Sequence, residues 1–398
     1  MTRVLLLSQF FPPETFAGAN RVGSMADVLA RDHDVVVVTP RPSYPHPSLY
    51  DLGTAFDRDR RRPYRVVRSR AFVPHSRSLT IRAVREHLMA LELAARAARE
   101  PAEVVVTSSP SMFLGPVCLL LARFKSSRFV WDIRDIGWDY AGESRLISRW
   151  TRPVLWGVRR YMWWVVRRAD LVVAASGGGA DRLRSRAGPA TAVMLVENAV
   201  ARDLLEACGA CRERVPKPRP MVTYVGLLGE PQAVEVLADV AGRLPAVDFT
   251  VVGEGPARGR LESRIRELGV ANVTLTGYLS RTEVLDVYRR SDILFAQLKD
   301  APTLNATSLP SKLYEYMATG KPVVYAGGGI AADAVRRADC GITVAPEAAS
   351  AIADAVDDLL SDTARMDQMG RNGRSFVEAT ADRETAFEGL AAVLRSPP

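Results

Sequence analysis

The amino-acid sequence predicts an α/β chain of two tandem Rossmann-like domains, and three observations carry that prediction. Short β-branched runs alternate with helical segments along the whole chain. The runs fall into two sets, one in each half. The length, 398 residues, is long for one domain when a domain holds about 100–200 residues.

In the first half the runs are Val4–Ser8, Val35–Thr39, Val104–Ser108, Phe129–Asp132, Leu171–Ala175 and Val193–Glu197. In the second they are Met221–Val225, Phe249–Val252, Val273–Thr276, Ile293–Ala296, Pro322–Tyr325 and Ile342–Val344. Runs this apolar read as strands covered on both faces, and the helices between them require right-handed crossovers and parallel sheets. The domains are placed at residues 1–200 and 201–380, and the stretch Cys208 to Pro220, with Pro216, Pro218 and Pro220, reads as a linker. Ligands of such sheets bind at strand carboxyl ends, so a two-domain chain is expected to place its site in the intervening cleft.

Composition is that of a globular protein, 47% hydrophobic and 25% charged, which excludes a disordered, collagen-like or coiled-coil chain. No apolar run reaches the roughly 18–20 residues of a membrane helix. Met112 to Ala122 is too short, and Arg159 and Arg160 interrupt Val154 to Val166. No signal peptide reads at the start, where Val4–Leu7 is soon followed by Pro12 and Pro13. Four cysteines make no disulfide framework. A cytoplasmic protein is expected.

Charge is uneven. Residues 1–200 hold 30 Lys+Arg against 18 Asp+Glu, and the remainder holds 23 against 27. Lys125 is the single lysine of the first half, so the excess reads either as a basic surface for an anionic partner or as an arginine-rich, solvated surface. In WTRPVLWGVRRYMWWVVRR, Trp150 to Arg168, aromatics interleave with arginines. Trp156, Arg160, Trp163 and Trp164 are the expected contacts with an anionic membrane. Leu79 to Arg99 is a second candidate, with Leu88, Met89 and Leu91 beside Arg82, Arg85, Arg96 and Arg99. The alternative for both is an amphipathic helix with a wet basic face. No nucleic-acid partner is expected, because no binding motif and no stacking platform are present.

The most informative string is Leu309–Lys321, LPSKLYEYMATGK. Ser308 can cap a helix there, Pro310 suits its first turn, and Gly320 with Pro322 closes it. A lysine in the first turn, Lys312, opposes the helix dipole unless an anion sits there. Glu315, one turn on, could accept hydrogen bonds from vicinal ribose hydroxyls; a local Lys312–Glu315 pair is the bland alternative. Glycines follow three strands: Gly226 and Gly229, Gly253 and Gly255, and Gly327, Gly328 and Gly329. Such loops let backbone N–H groups approach a phosphate. Neither G-x-G-x-x-G after the first strand nor a P-loop is present, which argues against a dinucleotide dehydrogenase or an NTPase.

In the first half, FFPPETFAGAN follows the first strand and brings Gly18 to a strand exit. Trp131–Asp135, WDIRD, ends a buried strand in Asp132, Arg134 and Asp135. These are candidate chemistry, or an internal Asp–Arg pair that fixes the loop. Cys208 and Cys211 have metal-ligand spacing without further ligands, and Asp32-His-Asp34 and Asp57-Arg-Asp59 are chance composition. Neither a metal nor a cofactor is expected.

FFPPETFAGANR, TPRPSYPHPSLY, DIRD and LPSKLYEYMATGKPVV with its following glycine loop together resemble glycosyltransferase family 4, retaining transferases of the GT-B fold. The similarity covers nearly the whole chain. It is nearest to the bacterial subgroup that builds O-antigen, capsule or exopolysaccharide repeats, including fucosamine-type transferases. The resemblance implies a nucleoside diphosphate sugar, UDP-linked, in the second domain and a saccharide acceptor, polyprenyl-diphosphate-linked, in the first. It implies that Glu315 binds ribose, Ser311 and Lys312 the diphosphate, and Tyr278 the base. It places Asn198 at the interdomain crossover and Arg134 and Asp135 near the reacting sugar. Gly18, Gly226, Gly253, Gly328 and Gly329 complete the donor set, with Arg134, Asp135 and Lys312 as the catalytic one. Residues 381–398 should form a helix that returns to the first domain.

Two departures stand out. Thr307 holds the position of the family's first motif glutamate, and VGLLGEPQAVE lacks the usual Arg and Lys after the first strand of the second domain. Lys312 is left as the cation for the diphosphate. Rival readings are a sugar-nucleotide epimerase of the same fold, transfer to a soluble natural-product scaffold, and a non-catalytic sugar-nucleotide or polyanion-binding protein.

Overall fold

A computed structural model of the chain describes residues 1–14, 16–44, 46–70, 79–140, 152–212, 215–380 and 382–395. Two compact units are present: Met1–Glu197 with Arg383–Pro398, and Asn198–Asp382.

The first unit is built on seven strands, β1 (Arg3–Leu7), β2 (Asp34–Thr39), β3 (Arg65–Arg68), β4 (Val104–Ser108), β5 (Arg128–Ile133), β6 (Leu171–Ala174) and β7 (Ala192–Leu195). Their order is β3-β2-β1-β4-β5-β6-β7, and every pairing is parallel. The order reverses between β1 and β4, which makes the exits of β1 and β4 the switch point of the sheet, with the exit of β5 beside it. The β-branched runs of β1, β4 and β5 are buried because helices cover both faces. On one face Met89, Leu93, Cys118, Leu121, Met162 and Val166 come from the helices Leu79–Ala97, Leu114–Lys125 and Arg152–Val166. On the other, Val22, Met25 and Leu29 of helix Ala17–Leu29 meet Phe387, Leu390 and Leu394 of the terminal helix Arg383–Arg395.

The second unit carries β8 (Met221–Val225), β9 (Asp248–Val252), β10 (Val273–Gly277), β11 (Ile293–Gln297), β12 (Val323–Ala326) and β13 (Gly341–Val344). They lie in the order β10-β9-β8-β11-β12-β13, again parallel throughout. The switch point falls between β8 and β11, and the glycine loops leave β8, β9 and β12 on either side of it.

Three expectations are corrected. The strand β3 was not anticipated: its apolar content is only Val66 and Val67 between two arginines, and it sits at a sheet edge where one side needs no partner. Cys208 to Pro220 does not begin as a linker. Cys208 and Cys211 lie in helical turns and are buried in the second unit's core with Tyr288, Leu313 and Tyr316, because two small apolar side chains three residues apart share one side of a 3₁₀ turn. Trp163 is no membrane contact. It is 4% exposed and its indole Nε1–H donates to Asp139 Oδ1 at 3.0 Å. Asp139 is buried and also binds Arg159 at 2.7 Å and Arg182 at 2.6 Å, so Trp163 closes a polar cluster beneath the helix. Trp156 and Trp164 do face solvent. Trp150, Thr15 and Pro45 lie outside the described residues.

Candidate active site

In the second unit the exits of β8 and β9 are fused. A Cβ at Gly253 would collide with the carbonyl oxygen of Gly226, and both residues hold positive φ, +132° and +140°. Only glycine allows this contact at this backbone geometry. Gly226 N–H donates to Val252 O at 2.9 Å and Gly253 N–H to Gly277 O at 2.9 Å, which brings Tyr278, just past β10, to the same rim. On the far side of the switch point, Gly329 packs against the backbone of Asn305 at φ +66°.

Lys312 lies in the first turn of helix Ser311–Ala318. Its Nζ donates to Tyr224 Oη at 2.7 Å, and Tyr224 Oη donates in turn to Leu227 O at 2.6 Å. A Cβ on Gly226 would stand 2.7 Å from Nζ. The ammonium therefore rests on the bare backbone of the β8 loop. Burial pulls it down from the usual lysine range to about 7, and the charge of Glu315 partly opposes this. The helix is locked to the strand by Tyr316, whose hydroxyl accepts from Val225 N–H at 2.8 Å and donates to Val225 O at 3.0 Å.

The cap differs from the sequence reading. Ser308 ends the preceding helix Pro302–Thr307, and Pro310 occupies the N-cap of Ser311–Ala318 with no side-chain cap bond. Proline has no polar side chain to offer, so the first-turn amides at Ser311 and Lys312 are not capped from within. Asn198 is drawn into the same turn: its Nδ2–H donates to Leu309 O at 3.1 Å. Its amide anchors the LPSK turn, and the sequence held no signal of that pairing across 111 residues. Thr307 turns its hydroxyl back onto Thr303 O at 2.6 Å. The polar group beside the glycine loop is Asn305, whose Nδ2 would lie 3.3 Å from a Cβ on Gly328 and bonds Asp300 at 2.7 Å. Its Oδ1 is buried with no partner among the described residues.

In the first unit, the strand WDI splits as its alternation requires. Trp131 and Ile133 enter the core. Asp132 turns the other way and meets Arg21 of FFPPETFAGANR, not Arg134. Arg21 Nη2 donates to Oδ1 at 2.8 Å and Nε to Oδ2 at 3.1 Å, and Ser108 Oγ adds 2.7 Å. Arg21 Nη2 also reaches Val196 O at 2.8 Å. Asp132 is thus a structural anchor. Arg134 remains at the strand exit, with its N–H donating to Ser109 Oγ at 2.9 Å. A Cβ on Gly18 would stand 2.5 Å from Arg134 Nη1, so the guanidinium lies against the first turn of helix Ala17–Leu29, which has no side-chain cap. Burial lowers the Arg134 pKa, Asp135 and Asp132 opposing, and Nε is buried without a partner among the described residues. Asp135 is exposed.

Glu14 is the residue that sequence reasoning passed over. It accepts from Phe11 N–H at 3.1 Å, Ser43 N–H at 2.9 Å and Tyr44 N–H at 3.0 Å. Burial lifts its carboxyl to about 7 despite these donors. With Arg68, which reaches Pro12 O and Pro40 O, it laces FFPPET to TPRPSY at the exits of β1 and β2. Among the described residues no three His, Cys, Asp or Glu side chains gather as a metal site, and no helix is long and apolar enough to cross a membrane.

Each unit is a doubly wound parallel sheet, the second with glycine loops and a buried lysine at its switch point, and comparison with known proteins specifies the class. Residues 17–199 match the family model of the glycosyl transferase 4-like domain, and residues 212–376 match that of glycosyl transferases group 1. The chain is 25% identical to glycogen synthase of Mycobacterium tuberculosis, over 98% of this chain and 94% of that one. It is 28% identical to the GDP-mannose-dependent α-(1-6)-phosphatidylinositol monomannoside mannosyltransferase of the same organism, over 64% and 70% of the two chains. The crystal structure of Anabaena Alr3699/HepE in complex with UDP and glucose superposes with a TM-score of 0.72 over all of both chains, at 16% identity. The chain belongs to the family 4 glycosyltransferases of the GT-B fold.

Proposed function

We propose that the protein transfers a hexose or N-acetylhexosamine from a UDP-sugar to a hydroxyl of a lipid-linked saccharide, with retention of anomeric configuration, in surface-polysaccharide synthesis. The observation that carries the reading is Lys312: a cation set against the glycine backbone of β8, beside an uncapped helix N-terminus, at the switch point of a doubly wound sheet. That arrangement suits a diphosphate. Ser311 and Lys312 hold it, the Gly226, Gly253, Gly328 and Gly329 loops let it approach, Glu315 takes the ribose hydroxyls and Tyr278 stacks near the base. Asn305, in place of the absent motif glutamate, offers its amide to the sugar. UDP as donor is supported by the nucleotide in the HepE complex, and a lipid-borne acceptor by the phosphatidylinositol monomannoside on which the mannosyltransferase acts.

The acceptor hydroxyl attacks and the diphosphate leaves on one face of an oxocarbenium-like sugar, and a departing phosphate oxygen takes the hydroxyl proton. The C1–O bond to phosphate breaks as the new C1–O bond forms. The protein supplies orientation and positive charge: Lys312 and the helix amides at the leaving group, Arg134 with the Gly18 amide at the reacting sugar, and Asp135 at the acceptor. Transfer from UDP-hexose or UDP-N-acetylhexosamine, followed by NMR of the product in the presence of EDTA, tests this. An α-linked product from an α-donor is expected; an inverted product, or strict dependence on a divalent ion, contradicts it.

A pH dependence follows. Burial pulls the Lys312 ammonium down to about 7, and only its protonated form would stabilise a departing diphosphate. The kcat/KM for donor should therefore fall about tenfold per pH unit as pH rises above roughly 7.5. In Lys312→Arg, where the charge persists, that limb should vanish; an unchanged profile in this variant assigns the titration elsewhere.

A further inference from the structure

The first unit carries a second group of exposed apolar and basic side chains, distinct from the donor residues. The helices Leu79–Ala97, Leu114–Lys125 and Arg152–Val166 lie side by side on one face of the sheet and bury their inner residues there. Their outer residues are apolar too. The first exposes Val84, Leu88 and Leu91 in a helical stripe, the second Leu120 and Phe124, and the third Trp156, Tyr161 and Trp164. Phe124 is 80% exposed and Leu120 67%. Scattered surface apolars need no explanation, but exposed apolar side chains on each of three neighbouring helices exceed scatter and mark a candidate binding surface.

The charges on this face select the partner. Neither Leu114–Lys125 nor Arg152–Val166 contains a single Asp or Glu. Along the third helix, aromatics and arginines alternate in one row: the Arg160 guanidinium lies over Trp156, 5.8 Å from the ring centroid, and that of Arg168 over Trp164, at 3.9 Å. Tyr161 stacks on Trp164 at 5.8 Å. Arg123 Nη2 donates to Arg168 O at 3.2 Å, which joins the basic ends of the second and third helices. A second copy of the chain seated here would bring arginine against arginine. A surface of phosphate headgroups over acyl chains matches both properties, the basic rim meeting phosphate and the Phe, Leu and Trp side chains entering the boundary.

We infer that these three helices form the face by which the protein docks on an anionic lipid bilayer, with Leu120, Phe124 and Trp164 inserted and Arg123, Arg160 and Arg168 at the headgroups. The inference does not rest on the transfer reaction proposed above, and it is tested without donor or acceptor. The full chain is floated with vesicles of phosphatidylcholine alone and of phosphatidylcholine containing about one third phosphatidylglycerol. Retention on the anionic vesicles, little on the neutral ones, and release by high salt are expected.

Leu120→Glu combined with Phe124→Glu should weaken retention at least about tenfold, as should Arg160→Gln with Arg168→Gln, which removes two charges and no apolar side chain. Leu268→Glu, at an exposed site in the second unit, should leave it unchanged, and unaltered melting temperatures show that the variants are folded. Several results overturn the inference: failure of anionic vesicles to retain the chain, equal retention on neutral ones, wild-type retention of both double variants, or a self-association in the ultracentrifuge that Phe124→Glu abolishes.

Discussion

Lys312→Ala should lower turnover by about two to three orders of magnitude, the range found when a positioned charge-stabilising donor is removed, while donor affinity should change only a few fold. The ammonium is held by Tyr224 Oη at 2.7 Å and is pressed on the Gly226 backbone, so no side-chain entropy is spent placing it during reaction. In the proposed reaction its value is greatest where negative charge accumulates, on the departing diphosphate, and smaller in the ground state, where the helix N-terminal amides would share the phosphates. The usual Arg and Lys after the first strand of the second domain are absent, so no second cation from that loop compensates. Single-turnover kinetics beside equilibrium binding separate the two effects. Equal losses in turnover and affinity would make Lys312 a binding group only. Tyr224→Phe, which removes the partner and leaves the lysine, should produce a smaller loss of the same kind.

Arg21→Met should destabilise the protein by about 3–5 kcal/mol, the cost of leaving a buried carboxylate without its cation. Arg21 and Asp132 are 3% and 0% exposed, and the pair ties helix Ala17–Leu29 to β5 and, through Val196 O, to the chain after β7. Replacing both, Arg21→Met with Asp132→Leu, should recover part of the loss, because the desolvation penalty disappears with the charges. Urea unfolding with both single variants and the double reads this directly. A loss below about 1 kcal/mol in Arg21→Met would mean that Asp132 is hydrated and that the β5 exit is not held by this pair.

These two residues also show what local sequence can and cannot tell. The strands other than β3 were legible because continuous β-branched runs between helical segments leave few alternatives. The glycine exits and LPSKLYEYMATGK were legible because their spacing is local. What was hidden is long-range. Arg21 and Asp132 stand 111 residues apart, and Tyr224 and Lys312 stand 88 apart; no periodicity relates them. The strand end WDIRD announced buried charge, but alternation alone could not say that Asp132 would find Arg21 while Arg134 kept a buried Nε without a partner among the described residues. Trp163 failed for a related reason. Four aromatics within one short helix cannot all face solvent, yet only the distant Asp139 decides which of them turns inward. The helix start at Ser311 was displaced because Pro310, in extended geometry, can end one segment and begin the next without a polar cap.

The site proposed at the exits of β8, β9 and β12 with Lys312 would take a nucleoside diphosphate without a metal ion. Thermal stability in the presence of UDP, GDP or dTDP, with EDTA throughout, tests it most directly. One nucleotide, UDP, should raise the melting temperature by several degrees at saturation, since a ligand at about 100 times its dissociation constant stabilises the native state by about 2.7 kcal/mol. No rise with any of the three would contradict the claim, because the diphosphate role of Lys312 would have no ligand.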